Sequence, residues 1–377
     1  MRALGQCSTL HAAAAVAAVL LGAEPSLAAE TAVPTQTPAT VRGGIIAYAL
    51  THRVWAIHQT PDGKAECPNG FNDGPREQFA QLFPNDGKQR TLLETQLKRE
   101  GETWLPSTAQ EQLPFKEAGG KTSPGMDLDG KVKVTDFTSP DGKAGIDNQL
   151  FRALGCISNY RGPEGTIYHF EDSYVDRYNY NRLLIEISGV DSLNNDDDVT
   201  VKSYRGLDKL LADSTGSGFI PGATQRVDMR WGKFAEATWK GKIVDGVLVT
   251  EPSDVKVPWS GTFGTIGDQK FRGLRFELKL TPERASGLMA GYVDVAQFYH
   301  QLNTAWSTHL QSYGQQSAPS LYRALRRLAD GYPDAKTGEM TAISSAITAE
   351  FVQVYLNRPP GQTVESESGR LPSQRSR

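Results

Sequence analysis

The chain has 377 residues, 38% of them hydrophobic and 22% charged, with a formal net charge of −3. A near-neutral balance speaks against a nucleic-acid partner, which would want a basic face. After the first 28 residues no apolar run reaches the roughly 20 residues a membrane-spanning helix needs.

The N-terminus reads Met1-Arg2, then a small-residue and apolar run over 12–23, then Pro25-Ser-Leu-Ala-Ala29. One early positive charge, a short apolar stretch and small residues at its end predict a secretory signal over 1–28. Cys7 precedes the apolar run, so it is not placed for lipid attachment. The mature protein is therefore expected to be exported, to the periplasm or the extracellular space. Two cysteines follow that segment, Cys67 and Cys156. In an oxidising compartment an even pair is expected to join. The loop closed is long, worth about 4 kcal/mol in the chain-entropy picture.

Residues 29–42, rich in Thr and Pro, read as an extended linker. Residues 43–164 read as a mixed region: a strand over 43–57, short helices over 76–83 and 91–104, then a long Gly-, Pro- and Asp-rich loop. Residues 165–280 carry the strand signals. Leu183, Ile185 and Ile187 alternate with polar or opposite-facing neighbours, as do Val199 and Val201, and Phe276, Leu278 and Leu280. Asp245-Gly246 between two apolar runs predicts a tight hairpin. Such strands divided by turns predict an antiparallel β-sandwich core.

Over 281–356 the period changes. Thr281-Pro-Glu283 reads as a helix start. Three stripes have helical spacing: Phe298, Leu302, Trp306 and Leu310; Leu321, Leu325 and Leu328; Ile343, Ile347 and Phe351. These predict amphipathic helices packed on the sandwich, an α+β fold. Residues 357–377 are polar and expected to be disordered.

Motifs for catalysis are poor. His300 and His309 would face opposite sides of a helix, His52 and His58 lie too far apart on a strand, and no His-Glu-x-x-His occurs. Gly119-Gly-Lys-Thr122 lacks the leading glycine of a phosphate loop, and Gly216-Ser-Gly218 lacks the spacing of a nucleophile elbow. Two runs look motif-like without pointing to an activity: Cys67-Pro-Asn-Gly-Phe-Asn72 and Gly145-Ile-Asp-Asn-Gln149.

The acidic loop is the leading candidate site. Asp127, Asp129, Asp136, Asp141 and Asp147 fall in a Gly-rich stretch. Calcium takes six to eight oxygens, which closely spaced aspartates supply, although the spacing is not that of an EF-hand. Ordinary turn chemistry also places Asp in such loops. A second acidic run, Asn194-Asn-Asp-Asp-Asp198, lies between two strands. Tyr174, Tyr178 and Tyr180, with Tyr160 and Tyr168, form an aromatic cluster of the kind that stacks on sugar faces. The expectation is a calcium-stabilised ligand-binding protein, with carbohydrate as a candidate ligand. The alternatives are a hydrolase using carboxylates among Glu171, Asp172, Glu186 and Glu277, and a structural envelope component.

Overall fold

The computed structural model describes residues 40–72, 98–99, 102–103, 115–162, 165, 181–216, 218–230, 232, 235–260, 266–305 and 318–358. The expected signal segment, the helix at 76–83 and Tyr174, Tyr178 and Tyr180 lie outside them, as do most of the linker and tail. In the stretch expected to be helical at 91–104, the described residues Lys98–Arg99 and Glu102–Thr103 pair instead as short antiparallel strands.

The sandwich expectation is overturned: eight antiparallel strands close into a barrel. They are β1 (Ile45–Trp55), β2 (Arg182–Ser188), β3 (Asp196–Gly206), β4 (Ala237–Val244), β5 (Val247–Thr250), β6 (Ile266–Leu280), β7 (Arg284–Asp294) and β8 (Met340–Asn357). Each strand pairs with the next in sequence. The ring closes where β8 pairs with β1, from Ala47 opposite Val354 to Trp55 opposite Ile347. Past Pro252, Ser253–Ser260 continues along the first half of β6 and carries Val255 and Val257 into the core.

The expected C-terminal helical group is corrected for a related reason. Thr281-Pro-Glu283 is the turn between β6 and β7, where the Thr281 hydroxyl accepts the Arg284 amide at 2.9 Å. Ile343, Ile347 and Phe351 lie on β8, all buried. A spacing of four fits one helix face, but four is even, so it also fits one strand face. Among the described residues three short α-helices occur: α1 (Gln149–Leu154), α2 (Val295–Ala305) and α3 (Ala318–Leu328).

Alternation sorts the wall. Tyr48, Leu50, Ile185, Val201, Trp239, Phe276 and Phe351 fill the lumen. Lys240, Lys242, Glu277 and Lys279 stand outside in water. On β4 and β6 that polarity is the reverse of a membrane-spanning barrel, whose outer wall is apolar. Among the described residues no helix is long and apolar enough to cross a membrane either.

Connections are sorted by end. At one end the strands turn tightly, including Asp245-Gly246, where φ is 50° and 75°. At the other end leave the long excursions 56–181, 207–236 and 295–339. Leu150 and Leu154 of α1, Phe298 of α2, and Leu321 and Leu325 of α3 join the lumen core there and plug the barrel. The Cys67–Cys156 disulfide ties this plug across 89 residues, packed with Phe137, Ile146 and Phe151.

The hairpin brings β6 and β7 very near at Gly287, opposite Leu278, where φ is +154° and a Cβ would lie 2.1 Å from the Glu277 carbonyl oxygen. Gly287→Ala is expected to cost ~2 kcal/mol or more, through backbone displacement and strain. Urea unfolding checks it: an unchanged midpoint would refute this account of the contact.

Candidate functional site

The acidic loop leaves the barrel and returns to its own start. The Asp147 amide donates to the Met126 carbonyl at 2.9 Å, clipping the two ends together. Within the excursion, Phe137–Thr138 pairs with Ala144–Ile146. Met126 and Leu128 dip into an apolar patch with Ala56, Ala290, Tyr292, Ala342 and Ala346 on the outer wall. Arg275 of β6 reaches the loop backbone, donating to the carbonyls of Asp127 at 3.2 Å and Leu128 at 3.0 Å.

The clip assembles three of the five aspartates. Asp127, Asp129 and Asp147 each offer a carboxylate oxygen, all within 4.8 Å of one another. Asp127 Oδ1 accepts the Gly130 amide at 2.7 Å, and Asp129 Oδ1 accepts the Lys131 amide at 3.0 Å. Both side chains are half-buried, and Asp147 is fully buried. Asp147 Oδ2 accepts the Leu128 amide at 2.7 Å, while its buried Oδ1 has no hydrogen-bond partner. Asp136 and Asp141 are not members of this group. Asp136 accepts the Lys133 amide at 2.5 Å. Asp141 is exposed and accepts the Ser139 hydroxyl.

Sequence reasoning missed the group's own cation. Lys133 is ion-paired with Asp129, and its Nζ lies 3.8 Å from Asp147 Oδ1. The signal was present, since Asp129 and Lys133 are four residues apart. Burial alone would lower the Lys133 pKa, but the Asp129 bond and the surrounding carboxylates hold it above its ordinary value. Burial would raise Asp129, and Lys133 with the Lys131 amide outweighs it, so that carboxyl sits low. Asp147 is different. Burial pushes it from 3.8 to about 6, opposed by the Leu128 amide and Lys133 and reinforced by Asp129 and Asp136.

Asn148 was also missed as a working residue. Buried beside Asp147, it donates to the carbonyl of Ala56 at 3.0 Å, the hydroxyl of Ser123 at 2.9 Å and the carbonyl of Pro124 at 3.0 Å. Its Oδ1 accepts the Ala346 amide at 3.2 Å. The run Gly145–Gln149 is therefore where the loop is fastened to the barrel. The run Cys67–Asn72 plays a like part at the plug: Asn72 exchanges two hydrogen bonds with the Lys116 backbone, at 2.7 and 2.9 Å.

The remaining candidates do not converge. The Asn194–Asp198 run caps turns: Asp196 accepts the amides of Asp191 at 2.7 Å and Asp198 at 3.2 Å. Glu186 is buried on β2 and paired with Arg358. Glu277 stands exposed on β6. Glu171, Asp172 and the three tyrosines fall outside the described residues.

No family model, curated protein or solved structure matches the chain.

The Asp147 shift has a sign that can be checked. A carboxyl whose folded pKa of about 6 exceeds its ordinary 3.8 binds a proton on folding between those values. Its contribution to stability is largest below about pH 4 and falls as pH rises to about 6. Asp129 has the opposite sign, so wild type should be compared with Asp147→Asn in chelator. The stability difference, wild type minus variant, is expected to fall across pH 4–6, by roughly 3 kcal/mol at most. A flat difference in urea titrations would refute the assignment.

Proposed function

We propose that this is an exported, calcium-stabilised binding domain whose cation is held by Asp127, Asp129 and Asp147. One observation carries the reading: Asp147 Oδ1 is buried without a hydrogen bond, beside two further carboxylates. A buried carboxylate oxygen left without a hydrogen bond, and with only a distant ammonium for counter-charge, is costly, and a divalent cation would offset that cost. An all-oxygen donor set suits a hard cation, and calcium tolerates irregular geometry better than magnesium does. Three carboxylates supply three to six of its ligands, and outside oxygens complete the shell.

Lys133 is the competitor. Its ammonium now neutralises part of the group, so calcium must displace it. The side chain is 36% exposed, so it has a path into solvent. Export, read from residues 1–28, would place the domain where calcium is abundant. The carbohydrate reading of Tyr174, Tyr178 and Tyr180 rests on sequence alone.

Thermal melting in chelator and in millimolar calcium tests the proposal. At ~100-fold excess over Kd the gain is about 2.7 kcal/mol, which for a domain of this size is roughly 4 °C in Tm. Asp129→Asn and Asp147→Asn should each remove most of the shift, and Lys133→Met should enlarge it at low calcium. A wild-type Tm indifferent to calcium sinks the reading.

A further inference from the structure

We infer that the acidic loop is a calcium-dependent docking surface for an anionic lipid bilayer. This rests on the calcium reading above and adds the partner of the same site.

The first observation is apolar exposure where a loop should be polar. Val132 is 74% exposed and Val134 90%, the two most exposed large hydrophobics among the described residues. They alternate with Lys131 and Lys133, immediately after the cluster residues Asp127 and Asp129. Two valines between lysines are far too small for a protein interface, which needs roughly 800 Å² from each partner. They do suit the headgroup boundary of a bilayer, where short apolar side chains enter and lysine stems reach back to the phosphates.

The second observation is charge. From Asp127 to Asp147 the loop carries five carboxylates against three lysines, a formal charge of −2. An anionic surface repels that loop. One bound calcium brings the formal charge to zero and leaves Lys131 and Lys143, both exposed, to face the lipid. Asp127 and Asp129 are half-exposed while Asp147 is buried behind them. A cation held there keeps coordination positions on its solvent side, and lipid phosphate oxygens are suitable ligands for them.

The third observation is support. Arg275, Asn148 and the Met126–Asp147 clip hold the loop from behind on the barrel wall. Its valines are therefore presented by a braced structure, so less ordering is required on binding.

Sedimentation of the full chain with vesicles of phosphatidylcholine and phosphatidylglycerol, in calcium and in chelator, tests the inference. Most of the protein should pellet in calcium and little in chelator, and pure phosphatidylcholine should capture little in either. Val132→Ser with Val134→Ser should weaken vesicle binding roughly tenfold or more while leaving the calcium shift in Tm unchanged. A calcium shift in Tm without vesicle binding overturns the docking inference and leaves the calcium reading standing. No shift in Tm overturns both. Equal pelleting in calcium and chelator overturns the calcium dependence, and a double variant that binds as wild type overturns the role of the valines.

Discussion

Everything in this molecule depends on the seam between β1 and β8. It joins residues about 300 positions apart in sequence, and without it the first and last strands would be free edges. Closure fixes which face of every strand is lumen, and so determines the apolar filling by Tyr48, Trp239, Phe276 and Phe351. The long excursions gather at one end because each strand of the meander reverses direction. Such pairing is non-local, so closing the chain must precede most of the contacts that reward it.

The acidic loop is coupled to that seam. At the far end of β1 the Ala56 amide donates to the Ala346 carbonyl at 2.9 Å. Asn148 then takes up the complementary groups of the same two residues, the Ala56 carbonyl and the Ala346 amide. A side chain thus completes the ladder where the backbone strands part. Asp147 is the neighbouring residue, so the most buried carboxylate of the cluster is placed by the same bond that finishes the barrel. Gln149 extends the fastening, since its amide donates to Ser344, whose hydroxyl donates to Asp330. The aspartate cluster and the barrel closure therefore share a structural element.

Local signals in the sequence were legible and global ones were not. The strand at 43–57, the alternation over 183–187 and the Asp245-Gly246 turn follow from side-chain period and positive φ, which are properties of a few adjacent residues. Sandwich and barrel use the same strands, and they differ in whether β1 meets β8, a fact that no local pattern contains. Ile343, Ile347 and Phe351 misled because their spacing satisfies two periods at once. Ser344 and Ser345, between Ile343 and Ile347, are buried as well, their hydroxyls donating to Asp330 and to the Gly291 carbonyl. The cysteine pair was legible from the count, since only Cys67 and Cys156 follow the expected signal segment, and the structure joins them. In the acidic loop the residue types were legible, but the grouping of Asp127, Asp129 and Asp147 depends on the Met126 clip, which selects them over Asp136 and Asp141.

Lys133 gives the cluster its character. Three carboxylates so close, one of them fully buried, would oppose folding of a chain that had no counter-charge. The ammonium of Lys133 is covalently supplied, so the loop can form before any ion arrives. The partial character of that neutralisation is equally important: Lys133 reaches Asp129 closely and Asp147 only at 3.8 Å, leaving Oδ1 without a hydrogen bond. A lysine that satisfied both carboxylates would leave no favourable exchange for a divalent ion. A loop with no lysine would be costly to assemble in the apo protein. An intermediate arrangement, stable alone, is what the proposed calcium site requires: occupancy would then change the charge of the loop without being required for the barrel to close.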